Sequence, residues 1–365
     1  MLWLHPEIWG KGGSHSNINS EHMKGSPFQK LIFFDELSVT PKYLQLANCI
    51  VKAMEDGKLS VGDMLPSINE LSFHYEICRD TAEKGYKHLK SLGLIGSVPG
   101  KGYFVSNTDV ESTSRVFLLF NKLSPHKKII YDSFVQTLGS HVRVDFYIYN
   151  NDLSLFRRLL DSISVDYNYF VIIPHFIEGE EQAPKIINQI DKEKLILLDK
   201  LLPGVTGNFS AVYESFKKDI QFALEQAIDQ LRNYQSLKLI FPENSYYPVE
   251  IIEGFTAFCK QHNFDHQIIH DVQELKLNKG DVYINLMDDD LVELIEKIMS
   301  AKLQLGKEVG VISYNETPLK RIIQNGITTI STDFEAMGRM AGEIVRTSKK
   351  ERKEVPFFLN LRSSL

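Results

Sequence analysis

Between Lys84 and Thr108 the chain carries Lys84, Lys87, Lys90 and Lys101 and no acidic residue, although its 365 residues bear a net charge of −6. Positive charge gathered on an acidic protein suits contact with phosphates, because nucleic-acid affinity comes largely from counterions released by lysine and arginine. The same lysines also suit a solvated helix face, with Asp80 and Glu83 pairing to Lys84 and Lys87 four residues on. The elements that carry them decide between the two.

Helix signals surround the basic stretch. In Leu65-Pro66-Ser67-Ile68-Asn69-Glu70-Leu71, Ser67 stands three residues ahead of Glu70. At that spacing a Ser hydroxyl and a Glu carboxylate satisfy free amides at a helix start, which predicts a short helix to about Tyr75. From Arg79 to Leu92 the apolar positions Ala82, Tyr86, Leu89 and Leu92 recur at three- and four-residue steps. That stripe is buried and Arg79, Glu83, Lys87 and Lys90 stay outside. Gly93 stops the helix. Gly100-Lys101-Gly102 then joins two short β-branched or aromatic runs into a hairpin, since glycine accepts the positive φ of a tight turn. Upstream, Pro41 opens a helix through Glu55 with Leu44, Ala47, Ile50, Val51 and Met54 inward. The apolar run 28–34 is expected to pack against the same domain.

Leu-Pro-Ser-x-x-Glu-Leu, then Arg-x-Thr, then Gly-x-Gly-Tyr-Phe-Val, spread between Thr40 and Asn107, resemble the DNA-binding domain of GntR-family transcription regulators. The resemblance implies that the second of these helices enters the major groove and the wing touches the minor groove or backbone. It implies roles for Ser67, Arg79, Thr81, Lys101 and Gly102. Lys84 and Lys87 join them as phosphate contacts. Asn69 stands where the family usually has Arg and is the remaining candidate; Glu83 also replaces an Arg, so the family's base preference does not carry over.

The rest of the chain follows a different rhythm. Residues 106–114 are polar and break both periodicities. A linker is therefore expected at 107–114, between a winged helix-turn-helix at 27–106 and a second domain at 115–365. Residues 1–26 are rich in Gly, Ser, His and Asn and lack the basic start and apolar core of a signal peptide. They read as a disordered expression leader. Beyond the linker, apolar strands at 116–120, 142–149, 169–174, 195–199, 237–241, 282–287 and 309–314 alternate with helices at 126–138, 215–234, 248–262, 289–303 and 335–348. Continuous apolar strands in this order imply an α/β domain with parallel sheets, helices covering both faces.

The run Leu305-Gly306-Lys307-Glu308-Val309-Gly310-Val311-Ile312-Ser313-Tyr314-Asn315-Glu316, followed by Gly326-Ile327-Thr328-Thr329-Ile330-Ser331-Thr332-Asp333-Phe334-Glu335-Ala336-Met337-Gly338, resembles the end of a LacI/GalR-type effector domain. That implies two lobes of periplasmic-binding-protein type closing on a small ligand, usually a sugar. A GntR-type winged helix joined to such lobes resembles the arabinose repressors of that mixed type. Ligands of open α/β sheets bind beyond the carboxyl ends of the strands. The residues just after strands are therefore the effector-binding candidates: Asn315, where the family commonly carries a sugar-holding Asp, Glu316 beside it, Tyr246, Tyr247, Lys122 and His175. Asp288 occupies the Asp of the family's Asn-Asp step, with Met287 in place of the Asn, and Ile251 stands where an Arg normally grips the sugar.

Enzyme signatures are missing: there is no Gly-x-Ser-x-Gly elbow, Walker loop or His-Glu-x-x-His, and no glycine fingerprint after the second domain's first strand. Asp288, Asp289 and Asp290 suit the N-terminal dipole of a helix better than a magnesium site. Cys49, Cys78 and Cys259 are far apart with no metal spacing, and no apolar run approaches the ~20 residues of a membrane helix. The reading is a cytoplasmic, cofactor-free regulator and not an enzyme. It is expected to be a homodimer that binds double-stranded operator DNA and represses a carbohydrate utilisation operon until a monosaccharide of pentose or deoxyhexose type releases it. The alternatives are a regulator sensing a phosphorylated metabolite or nucleoside, and a solute-binding or enzymatic α/β protein whose winged helix contacts protein.

Overall fold

A computed structural model of the chain describes residues 27–365 except 99, 109–113, 140, 141, 164 and 244. The leader expected at 1–26 and most of the expected linker fall outside the described residues. The chain splits into two compact units, one holding Pro41–Val110 and the described residues ahead of Glu36, the other Glu36–Thr40 and Glu111–Leu365.

The first unit runs α1 (Lys42–Glu55), β1 (Met64–Leu65), α2 (Ile68–His74), α3 (Arg79–Ser91), β2 (Ile95–Val98) and β3 (Gly102–Val105). Its strands form an antiparallel sheet in the order β1-β3-β2. The capping box is complete: the Glu70 N–H donates to Ser67 Oγ at 3.2 Å and the Ser67 N–H donates to Glu70 Oε2 at 2.7 Å. Leu46, Leu71, Ala82, Tyr86, Leu89 and Val105 are buried in one core, and Phe28 and Ile32 join it. Tyr86 also donates its hydroxyl to Pro66 O at 2.6 Å, which ties α3 to the start of α2.

The second unit runs β4 (Ser114–Phe120), α4 (Pro125–Leu138), β5 (Val142–Ile148), α5 (Leu153–Asp161), β6 (Tyr169–Ile172), α6 (Ala183–Ile187), β7 (Leu195–Asp199) and β8 (Ser210–Tyr213). It continues with α7 (Phe216–Gln226), α8 (Ile228–Leu231), β9 (Ser236–Ile240), α9 (Glu250–His262), β10 (Asp265–Ile269), β11 (Asp281–Asn285), α10 (Asp288–Ser300) and β12 (Gly310–Tyr314). It ends with β13 (Thr328–Thr332), α11 (Phe334–Thr347), β14 (Arg352–Glu354) and β15 (Phe357–Asn360). Two six-stranded sheets result, β14-β8-β7-β6-β4-β5 and β10-β9-β11-β12-β13-β15. Every pairing is parallel except β13 with β15. Helices cover both faces of each sheet, so each lobe has two buried apolar layers.

Among the described residues the chain passes between the lobes three times: from β8 to α7, from β13 to α11 and from β14 to β15. Residues 36–40 cover the open edge of the first sheet. There the Val39 N–H donates to Phe146 O at 2.8 Å and the Phe146 N–H donates to Thr40 Oγ1 at 2.8 Å, which blunts an otherwise unpaired strand edge.

Helix α11 packs against α4 at backbone distance. A Cβ at Gly338 would lie 2.4 Å from Ile130 O and 2.9 Å from Phe134 N, neither of which is a flexible side-chain end. Gly338→Ala is therefore expected to force the two helices apart and destabilise the unit by about 1–3 kcal/mol, the usual range for overpacking. Urea unfolding of the variant against the parent measures it.

Several elements depart from the sequence expectation. The helix expected at 215–234 is interrupted at Ala227, whose N–H is shared between Ala223 O at 3.3 Å and Leu224 O at 3.1 Å, so the turn tightens and the helix restarts as α8. Strands β8, β10, β13, β14 and β15 and helices α5 and α6 were not foreseen. β13 reads Thr-Thr-Ile-Ser-Thr, yet all five residues are buried. Its polar side chains hide a central strand from any search for apolar runs.

Candidate functional site

On the first unit, α3 presents Arg79 and Lys87 to solvent, and the turn ahead of β3 presents Lys101. Gly100 and Gly102 flank that lysine at φ +78° and +96°, the positive values a tight hairpin tip needs. Asn69 is exposed in the first turn of α2. Lys84 pairs with Asp80 at 2.7 Å and Lys87 with Glu83 at 2.8 Å, the i,i+4 arrangement of a solvated helix face. Exposed pairs of this kind are weak and screened by solvent, so a phosphate can displace the carboxylate at little cost. Arg79 and Lys101 have no ion-pair partner among the described residues. Thr81 sits within 3.1 Å of the Cys78 sulfur, and its hydrogen bonds hold that exposed thiol below the ordinary value.

On the second unit, strand ends of both lobes meet in a cleft. Its outer part is a recess of about 250 Å³ lined by Lys122, Ser124, His126, Tyr246, Asp288 and Asn315, among others. A smaller recess of about 30 Å³ continues inward to Lys127, His175, Asp199 and Glu214. That inner space fits roughly two waters. Lys122, just after β4, donates to the Tyr246 hydroxyl at 2.6 Å and lies 4.1 Å from the centre of its ring. Tyr246 follows β9 in the other lobe, so this contact latches the cleft. Tyr247 stacks on Tyr246 with ring centres 4.8 Å apart.

The floor of the cleft is an ion cluster. Lys127 on α4 is paired with Asp199 at the end of β7, and His175 Nε2 lies 3.2 Å from the same carboxylate oxygen. Burial pushes the Asp199 carboxyl up, but Lys127 and His175 outweigh it and hold the group well below the usual carboxylate range. Burial lowers both His175 and His126, the latter to about 4, which leaves both imidazoles neutral near pH 7. Asn315 follows β12 at φ 63°, a left-handed position asparagine tolerates. Lys320, 2% exposed, fixes it by donating to Tyr314 O at 2.9 Å and Asn315 O at 2.8 Å while pairing with Asp288 at 2.7 Å. The Asn315 Oδ1 and His175 Nδ1 atoms are buried without a hydrogen-bond partner.

Residues 42–105 match the family model of bacterial regulatory proteins of the gntR family. The HTH-type transcriptional repressor YtrA of Bacillus subtilis (strain 168) is 33% identical over 76 residues, which are 21% of this chain and 58% of YtrA. Across four curated relatives the chain covers between 14% and 58% of their length. Among solved structures, the Lac repressor bound to ONPG in its repressed state aligns with a TM-score of 0.60 at 12% identity, covering 79% of this chain and 92% of that one. A LacI family transcriptional regulator from Enterococcus faecalis V583 with bound ribose aligns at 0.55 and 17% identity, covering 69% of this chain and 98% of that one. The chain joins a gntR-type winged helix to a LacI-type fold.

Within the LacI-type lobes, six of the sequence candidates line one cleft: Lys122, His175, Tyr246, Tyr247, Asp288 and Asn315. Glu316 does not. Its carboxylate is bound by Arg362 at 2.9 and 3.0 Å and by Arg321 at 3.0 Å, and it accepts the Thr329 hydroxyl. Burial pushes this carboxyl up, and these partners hold it below the ordinary value. Glu316 therefore serves the last strands of the second lobe. Sequence reasoning missed His126, Lys127, Asp199 and Glu214. Asp199 ends a strand that was foreseen, so the strand-end rule that selected His175 also points to it. Glu214 follows β8, which was not foreseen. In the gntR-type winged helix, Ser67 spends its hydroxyl acceptor on the capping box.

Proposed function

We propose that the protein is a DNA-binding transcription regulator, not an enzyme, whose two lobes close on a small effector. The observation that carries the effector reading is the pair of unpartnered acceptors, Asn315 Oδ1 and His175 Nδ1, buried in a cleft between lobes. A buried polar atom without a partner costs about 1–3 kcal/mol, and ligand hydroxyls remove that cost. The stacked Tyr246 and Tyr247 rings offer an apolar wall beside those acceptors. Together these favour a monosaccharide over a larger ligand, and the sugar is proposed to be of pentose or deoxyhexose type. The winged helix is proposed to bind double-stranded operator DNA through Arg79, Thr81, Asn69 and Ser67, with Lys84, Lys87, Lys101 and the Gly102 backbone on phosphates. Two copies on a palindromic site supply the contact area that one small module lacks. The proposed role is a cytoplasmic repressor of a carbohydrate utilisation operon, released by the sugar.

A thermal-shift screen of the full chain against monosaccharides tests this, because a ligand bound only by the folded state raises the melting temperature. The active sugar is expected to lose its effect on Asn315→Ala, while DNA affinity of that variant stays at the parent's value. A sugar that stabilises parent and variant alike would place the effector elsewhere.

A further inference from the structure

Asp199 and Glu214, 4% and 7% exposed, line the same inner recess of about 30 Å³ where the chain first crosses between lobes. The backbone sets this approach, since the Glu214 N–H donates to Asp199 O at 2.9 Å. Two ionised carboxylates crowded into one buried recess repel each other, so one of the two keeps its proton. Asp199 is the member that stays charged, because Lys127 and His175 both meet its Oδ2. Among the described residues no cation pairs with Glu214.

We propose that Glu214 is a neutral carboxylic acid that donates its hydrogen to Asp199, and that this shared proton positions His175 to accept a hydrogen bond from the ligand. The second half rests on the cleft being the effector site; the first half does not.

Every group facing Glu214 fits this placement. Asp199 comes from the end of β7, Lys127 from α4, His175 from the segment after β6, and the Thr332 hydroxyl from the end of β13. The phenols of Tyr314 and Tyr247 lie close enough to feel its charge, and burial raises both well above their ordinary range. Lys200 is turned away to Glu180 at 2.7 Å. Burial first, and then the Asp199 charge, push the Glu214 carboxyl far above the ordinary carboxylate range.

The consequence reaches the ligand through one imidazole. With Asp199 accepting from Lys127, Glu214 and His175, the hydrogen of the neutral imidazole sits on Nε2. His175 Nδ1 is then a bare acceptor, and it is the buried atom that lacks a partner. Parting the lobes brings water to the crossing and lets Glu214 ionise, so the closed state holds one proton more than the open state. Glu214 is a positioning residue, and its signature is a pH profile.

Glu214→Gln tests this in the full chain with no ligand added. Glutamine keeps an N–H for Asp199 and has no proton to lose. The unfolded acid titrates near its ordinary 4.5 and the folded acid far higher, so the parent's stability is complete at low pH and is lost as pH rises through the folded value. From pH 6 to 8.5 the parent's unfolding constant, divided by the variant's, is expected to rise about tenfold per pH unit until the folded acid ionises. Parallel profiles overturn the proposal. Should the variant fail to fold, the infrared spectrum of the parent at pH 8 decides: a protonated carboxyl band is expected, and its absence overturns the proposal. Asp219 and Asp290, raised to about 6 by burial, are mostly ionised at that pH and do not supply the band. Neither readout uses a sugar. A chain that binds no monosaccharide leaves the proton in place, and parallel profiles leave the effector reading in place.

Discussion

Lys127→Met is expected to destabilise the second unit by about 3–5 kcal/mol, as removal of one partner from a buried ion pair does. Lys127 and Asp199 are 5% and 4% exposed, and no other lysine or arginine pairs with Asp199 among the described residues. Without the ammonium, the carboxylate keeps only the neutral His175 and the Glu214 hydrogen, so its desolvation goes uncompensated. Replacing Asp199 by Asn in the same chain removes the stranded charge. The double variant Lys127→Met/Asp199→Asn is therefore expected to recover most of the loss, and urea unfolding at pH 7 measures both. The pH dependence has a defined sign. The folded Asp199 carboxyl lies well below its ordinary value, so the stability it gives the parent is present above about pH 4 and is lost as pH falls through the folded value. That acid limb should disappear in the double variant. Equal stabilities of the single and double variants would show that Asp199 is not the charge that Lys127 compensates.

Arg79→Ala is expected to weaken binding to a selected DNA site by ~1–3 kcal/mol, roughly 5- to 150-fold, with the fold unchanged. Arg79 is the first residue of α3 and is exposed without an ion-pair partner among the described residues, so its guanidinium is free for a bidentate contact with guanine. Lys101→Ala should instead weaken binding to all sequences alike and reduce the salt dependence, as a phosphate contact does. Gel-shift titrations at two salt concentrations separate the two. An Arg79 variant with parental affinity for the selected site would remove α3 as the base-reading element.

The winged helix was legible in the sequence because its signals are local. Ser67 and Glu70 are three residues apart, and the apolar stripe from Ala82 to Leu89 repeats within one helix, so neither needs the rest of the fold to be recognised. The lobes were legible where strands are apolar, as at β7, and illegible where a buried strand is made of threonine and serine, as at β13. The cleft came through in part. Asn315 and Lys122 follow foreseen strands and Asp199 ends one, whereas Lys127 and Glu214 acquire their meaning only from their meeting with Asp199. The three lie on different elements, Lys127 and Asp199 being 72 positions apart, and no spacing in the sequence reports that meeting. Glu316 failed for a similar reason. Its partner Arg362 is 46 residues away, on the segment after β15, which was not foreseen.

Coupling between the cleft and DNA is the central claim, and a paired titration tests it most directly. The affinity of the full chain for its selected DNA site is measured by fluorescence anisotropy with and without the sugar that raises its melting temperature. The affinity for that sugar is measured by calorimetry with and without the DNA. Allosteric coupling is reciprocal and typically amounts to ~1–3 kcal/mol. The sugar is therefore expected to weaken DNA binding about 5- to 150-fold, and the DNA to weaken sugar binding by the same factor. DNA affinity that does not change at saturating sugar would contradict the claim.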